Sequence, residues 1–231
     1  DQGEKKICLR PEATSGIARF AASNYESGFM KLFTYGPMFR RERPQKGRYR
    51  QFYQAGVEIL GYPEGAPEFE MVSLVCSIIE EFNIADCTLK INHLGSQENK
   101  KAYCDALIKF LEPHKGNLDE KDLERLSRNP LRVLDSKNKD TQSILKGAPS
   151  LKEFLEPKSI QLLEAIRLEF LDICKIEIDY TLVRGLDYYS GFVFEALSSN
   201  LGAQDSFLGG GRYDDLCSKL GGKDLPSIGM A

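Results

Sequence analysis

The sequence predicts an α+β fold: an antiparallel β-sheet flanked by helices, with a long helical insertion. Three observations carry that expectation. Runs with two-residue alternation occupy both ends of the chain, and charged runs of helical period fill the middle. The change from one pattern to the other falls near Ser96 and again near Lys175, dividing the chain into 1–95, 96–174 and 175–231. At 231 residues there is ample material for a buried core.

The elements follow in order. "KKICLRPE" alternates until Pro11 and reads as a strand; "ATSGIARFAASNY" reads as a helix, with Thr14 or Ser15 as a candidate cap. "KLFTYGPMFRRE" and "RYRQFYQAGVEILG" read as antiparallel strands joined by a basic loop. "PEFEMVSLVCSIIEEFN" is a helix with Met71, Leu74, Val75, Ile78 and Ile79 on one face, and "CTLKINHLG" is a strand. The charged helical stretch is broken at Pro113, Gly116 and Pro130. Strands resume in "KIEIDYTLVRGLDYYSGFVFEAL" and continue through "FLGGGRYDDLCSKLGG" to "PSIGMA".

Composition excludes several function classes. With 31 basic against 34 acidic residues the net charge is −3, unlike the net basic footprint of a nucleic-acid coating protein. A local basic patch on a near-neutral body suits phosphate handling better, and DNA is not an expected partner. No apolar run approaches the roughly 18 residues of a membrane helix, and "DQGEKKICLR" lacks the shape of a signal peptide. The six cysteines are scattered without a CxxC pair, and only His93 and His114 supply imidazole, so no structural zinc site is expected. Scattered thiols fit a reducing compartment, and the cytoplasm is the expected location.

Between Phe39 and Arg50 the chain carries six Arg or Lys residues, and from Gln51 to Gly61 none. Such a run at a hairpin tip is commonly a solvated face. Arg40, however, issues from the strand before the turn, where its guanidinium has a fixed origin and can fork onto a phosphate. Glu42 shares that strand face and would bind an amine or a metal ion beside the same phosphate. On the return strand Phe52, Gln54 and Glu58 share one face. Phe52 is either core or a ring stacked under a base. A carboxylate in an apolar strand is costly alone, so Glu58 is expected to meet a cationic or donor group.

Three further segments concentrate chemistry. "VRGLDYYSGFVFE" sets Arg184 beside Gly185 and follows with Asp187, Tyr188 and Tyr189. "LGGGRYDDL" places glycines before Arg212 and Tyr213, permitting close approach of backbone to a ligand, without the GxxxxGK[ST] spacing of a phosphate loop. In "RPEATSG", Glu12 and Thr14 stand before a helix, where Thr14 is either its cap or a functional group.

Together these segments resemble the class II aminoacyl-tRNA synthetases, and within them the histidyl-tRNA synthetases. "FRRERPQKGRYRQFYQAGVEILG" is similar to the family's motif 2, "LVRGLDYYSGFVFE" to its Arg-Gly-Leu-Asp-Tyr-Tyr signature, and "GGGRYDDL" to its second histidine-specific segment. "LRPEATSG" resembles its Arg-Pro-Glu-x-Thr segment, and "PSIGMA" the opening of motif 3. The resemblance spans nearly the whole chain, and it implies a class II synthetase-type antiparallel sheet with the helical insertion where the family carries one.

It also implies roles. Arg40 and Arg184 would be the catalytic arginines on the α-phosphate of ATP, Arg184 also reaching the histidine carboxylate. Glu42 would lie near the adenine amino group, Phe52 would stack on the ring, and Arg48 would approach the outer phosphates. Glu12, Thr14 and Gln54 would hold the substrate ammonium, with the Ala13 backbone beside it. Glu58 and Tyr189 would address the imidazole, and Tyr188 and Tyr213 would close the pocket. Gln45 would face the acceptor end of tRNA. The implied substrates are L-histidine, ATP with Mg²⁺ on its phosphates, and tRNA(His), and the implied assembly is a homodimer.

Ala13 departs from the glycine that many family members carry. The chain begins after the place of motif 1 and stops before the motif 3 arginine and the anticodon-binding domain. An excerpt of a catalytic domain, inactive alone, is therefore expected. Two rivals stand beside this reading: a synthetase-like regulatory paralogue, whose usual sign is erosion of the residues just named, and a plain RNA-binding module, against which the net acidity speaks.

Overall fold

The computed structural model describes residues 7–41, 48–201 and 205–231. Helix α1 (Thr14–Asn24) precedes the hairpin of β1 (Met30–Phe39) and β2 (Gln51–Leu60), then α2 (Ala66–Glu81) and β3 (Cys87–His93). Helices α3 (Gln97–Leu111), α4 (Glu120–Arg128), α5 (Lys139–Leu145) and α6 (Pro157–Glu169) follow. The chain closes with β4 (Lys175–Ile178), β5 (Phe192–Ser198), β6 (Ser206–Arg212), α7 (Leu216–Lys219) and β7 (Ser227–Met230).

Local chemistry explains the helix starts. Ser96 Oγ accepts from the Asn99 amide at 3.2 Å while Asn99 accepts from the Ser96 amide at 3.1 Å, a reciprocal cap on α3. Asp119 caps α4 and Asn138 caps α5 from one side, their side-chain oxygens accepting from first-turn amides. At α2 the Glu68 carboxylate accepts from the Gly65 amide at 2.6 Å.

The strands form one seven-stranded sheet in the order β1-β2-β7-β6-β5-β3-β4. The hairpin register runs from Met30 opposite Leu60 to Phe39 opposite Gln51, as the alternation predicts. The sheet is antiparallel as expected except at one edge, which makes it mixed: β4 runs parallel to β3, with Thr88 opposite Lys175. The cause is topological. The whole helical stretch separates β3 from β4, and a crossover of that length returns the chain to the end where it began, as a short hairpin cannot.

The expected first strand needs correction. Ile7–Arg10 is exposed and irregular, and Lys5 and Lys6 lie outside the described residues. The Arg10 carbonyl accepts from the Phe39 amide at 2.9 Å, and its side chain donates to the Pro37 carbonyl at 2.9 Å. These contacts pin the segment to the end of β1 without building a ladder. Alternation needs a partner along its length to make a strand.

Period-two burial then sorts side chains onto two faces. On one face α2 and α6 cover Ile59, Leu89, Ile91, Phe192, Phe194 and Ile228 with Met71, Val72, Val75, Leu163 and Ile166. Helix α6 thus builds the sheet core, although it lies within the charged helical stretch. Helices α3 and α4 and the turn Pro130–Asp135 form a second cluster through Leu107, Leu111, Leu126, Leu131 and Val133, joined by Leu182, Tyr189 and Val193. A third joins α1 to Leu60, Tyr213, Leu216 and Cys217. Among the described residues no helix is long and apolar enough to cross a membrane.

Candidate functional site

The face of β2 turned away from α2 carries Phe52, Gln54 and Glu58. Glu58 is 1 % exposed. Thr14 Oγ1 donates to its Oε1 at 2.6 Å, and Tyr213 Oη donates to its Oε2 at 2.5 Å. Burial pushes the carboxyl up to about 7, against the pull of those two hydrogen bonds. The expected donor groups are therefore two hydroxyls, with no cation bonded to the carboxylate among the described residues. A Cβ on Gly229, in neighbouring β7, would run into this carboxylate, so only glycine leaves it room.

Thr14 is the first residue of α1 and its hydroxyl is turned to Glu58, which removes the cap alternative. Capping falls instead to Glu12, whose carboxylate accepts from the Ser15 amide at 3.0 Å and from the Ser15 hydroxyl. Ala13 occupies the cap position, with its carbonyl accepting from the Ile17 amide. Sequence spacing pointed to the small hydroxyl residues; a carboxylate one residue before Ala13 reaches the same orphan amide.

Three tyrosines gather beside Glu58 and Arg184. The Tyr188 ring lies 4.7 Å from Tyr189 and 5.7 Å, edge-on, from Tyr213. Burial raises the pKa of all three phenols, so each stays a neutral donor. The Arg184 charge opposes that rise at Tyr189, placing the guanidinium beside it.

Arg184 is fixed from the sheet. Its Nη1 donates to Glu195 Oε1 at 2.7 Å, and Ser206 Oγ donates to the same oxygen at 2.7 Å. A Cβ on Gly209 would stand 2.5 Å from the guanidinium. The glycine run is thus the strand β6, and what approaches its backbone at Gly209 is an arginine of the protein itself. Arg184 Nε is buried and makes no hydrogen bond among the described residues, an unsatisfied donor of the kind that calls for an explanation. Glu195 was missed in the sequence. Its signal was available: it alternates with the buried Phe194 and Ala196, an acid in an apolar strand just as Glu58 is.

Arg40 ends β1 in the open. Its guanidinium lies 4.8 Å over the Phe52 ring and its Nε donates to the Pro11 carbonyl at 3.0 Å. Phe52 is half-buried and serves as a platform for a planar cation, not as core. Gln54 stands between Phe52 and Glu58 on the same face, and Arg48 is partly buried where the hairpin returns. Glu42 and Gln45 lie outside the described residues. The structure therefore joins Thr14, Glu58 and Tyr213 by direct bonds, with the tyrosine cluster and Arg184 adjoining, and sets Arg40 with Phe52 further along β2. Among the described residues no group of three or more His, Cys, Asp or Glu is placed to hold a metal ion.

A mixed sheet with a strand–loop–strand arginine site on one face is the architecture of a class II aminoacyl-tRNA synthetase catalytic core. A family model described as histidyl-tRNA synthetase matches residues 1–231, and the chain belongs to that family. The chain is 44% identical over 237 residues to a histidine–tRNA ligase of Francisella philomiragia, covering 100% of this chain and 56% of that protein. To the histidine–tRNA ligase of Prosthecochloris aestuarii it is 47% identical with the same coverage. It thus spans little more than half the length of these relatives. The solved apo histidyl-tRNA synthetase of S. aureus superposes with a TM-score of 0.76 at 32% identity, over 100% of this chain and 56% of that one. A Bacillus halodurans structure described as an ATP phosphoribosyltransferase regulatory subunit/histidyl-tRNA synthetase shares the fold, with a TM-score of 0.64 at 22% identity.

Proposed function

We propose that this chain is the catalytic region of a histidine–tRNA ligase. It would activate L-histidine with ATP, forming histidyl-adenylate and pyrophosphate, and the longer protein would transfer the histidyl group to tRNA(His). The observation that carries the reading is Glu58: a buried carboxylate held, among the described residues, by two hydroxyls, with room in its chemistry for one more donor. An imidazole N–H is such a donor, and Tyr189 supplies a neutral phenol for the second ring nitrogen. An apolar ring of the same size would leave both groups unpaired, a penalty worth orders of magnitude in selectivity.

Activation brings two anions together, the histidine carboxylate and the α-phosphate. Arg40 and Arg184 are the cations for that charge, and preorganised cations are worth most where charge concentrates in the transition state. Mg²⁺ would arrive on the ATP phosphates as part of the substrate. Phe52 would exchange its Arg40 contact for adenine. Presence of Arg40, Glu58, Arg184 and the tyrosines favours the enzyme over a regulatory subunit. Exposed Phe33, Tyr35 and Tyr53 on the β1–β2 hairpin support a homodimer, and the six free cysteines support a reducing, cytoplasmic setting.

Calorimetric titration of the chain with L-histidine, without RNA, tests the pocket. Binding of histidine and not of phenylalanine supports the reading. Binding of RNA without binding of histidine would favour an RNA-binding module.

A further inference from the structure

The loop between β4 and β5 carries Arg184, Tyr188 and Tyr189; the sheet holds its two flanks and the Arg184 guanidinium, and the helical segment holds the 185–189 stretch between them. Asn129, at the end of α4, donates from Nδ2 to Asp187 Oδ1 at 2.7 Å. Arg132, in the turn after α4, donates from Nη2 to the Gly185 carbonyl and lies 3.6 Å from Asp187 Oδ1 through Nε. On α3, Lys100 Nζ donates to the Tyr189 carbonyl at 3.3 Å. Beneath these bonds Leu182 and Tyr189 are buried among side chains of α3, α4 and the Pro130–Asp135 turn.

The anchoring body is itself stiff. Asp122, 1 % exposed, accepts from Ser136 at 2.5 Å, Thr141 at 2.8 Å and Arg125 at 2.9 Å. One carboxylate thus ties α4, the turn and α5 into a unit, and buried satisfied networks of this kind resist deformation. A guanidinium suits the junction because its planar fork can serve a main-chain carbonyl and a carboxylate at once. The adjacent loop glycine, Gly185, has no side chain to hold it by, so its carbonyl is the available handle.

We propose that Arg132 is a positioning residue for amino-acid recognition: from the helical segment it holds Gly185 and Asp187, and thereby sets where Arg184, Tyr188 and Tyr189 stand. This rests on the reading of the pocket as a histidine-activating site. Arg132 touches no substrate, and its effect passes through the loop. Arg40 and Phe52, further along β2, are held by each other and by the Pro11 carbonyl.

The test is histidine-dependent ATP–pyrophosphate exchange by the full-length protein, its Arg132→Ala variant and its Arg132→Lys variant. Arg132→Ala is expected to lower kcat/KM for histidine about tenfold, the scale of one lost charge-assisted anchor, with a smaller loss toward ATP, which meets Arg184 but not the two tyrosines, and a melting temperature nearly unchanged. Arg132→Lys, with a charge but no fork, is expected to recover part of the loss. Because Asn129→Ala removes a second anchor from the same carboxylate, it should shift the same parameter in the same direction. An unchanged kcat/KM for histidine in Arg132→Ala would overturn the proposal and leave the functional reading standing. Equal losses toward histidine and ATP with a lowered melting temperature would overturn it in favour of general destabilisation. No histidine-dependent exchange in the unsubstituted protein would overturn the functional reading itself, and this proposal with it.

Discussion

The Tyr213 hydroxyl donates to the Glu58 carboxylate at 2.5 Å, joining residues 155 positions apart. Through this bond the segment after β6 closes over the middle of the β2 face, and Thr14 completes the closure from α1. A buried acid with two hydroxyls, and no cation bonded to it among the described residues, makes a site that gains most from a ligand bearing an N–H or a positive charge. This arrangement also has a cost to the fold that can be measured.

Glu58 titrates near 7 in the folded chain and near its ordinary 4.5 when unfolded. The folded chain therefore holds the extra proton between those values, and stability falls as pH rises through that window. The full loss is about 3 kcal/mol, at ~1.4 kcal/mol for each unit of displacement. Glu58→Gln removes this slope while keeping a polar group in place. Urea unfolding at about pH 5 and about pH 8 should show the variant gaining on the unsubstituted chain at the higher value. Parallel pH dependences of the two proteins would contradict the assignment.

Gly209→Ala separates position from stability. Its new Cβ would meet the Arg184 guanidinium, the far end of a flexible side chain, so the arginine yields before the backbone does. Unfolding free energy should change by about 1 kcal/mol or less. The rate of histidine activation should fall about a hundredfold, the scale expected when a catalytic group is displaced by about an ångström. A variant as active as the parent would show that Arg184 need not stand where Glu195 holds it.

Arg212 and Glu68 form the most deeply buried ion pair among the described residues, with side chains 1 % and 0 % exposed and Nη2 to Oε1 at 2.6 Å. Arg212 also donates to Asp214 at 2.9 Å and to the Tyr62 carbonyl at 3.2 Å. Glu68→Ala strands a charge inside the protein and removes the acceptor of the Gly65 amide. The expected destabilisation is about 3–5 kcal/mol, read as a lower midpoint in urea with an unchanged slope. A shift near zero would mean that water or Asp214 compensates fully.

Much of this site was legible because strands impose a simple rule. Once "QFYQAGVEIL" was read as a strand, Phe52, Gln54 and Glu58 had to share a face, and the buried carboxylate had to find donors. Which donors was another matter: Tyr213 is brought in by β6, and no local pattern records that approach. The cap was sought in Thr14 or Ser15 and falls to Glu12, because a longer carboxylate side chain can also reach a first-turn amide. The parallel β4 was hidden because alternation says nothing about direction. Glu195 went unassigned although its strand gives the same warning as that of Glu58, and Arg132 gave none, lying in a charged stretch that reads as solvated surface.

The most direct measurement is ATP–pyrophosphate exchange by the full-length protein, with each amino acid in turn, beside Arg184→Ala. The account predicts exchange with histidine alone and a loss of about a hundredfold or more in the variant, the usual scale for removing a transition-state cation. A folded protein that binds histidine without exchanging pyrophosphate, or an Arg184→Ala variant with undiminished exchange, would contradict it.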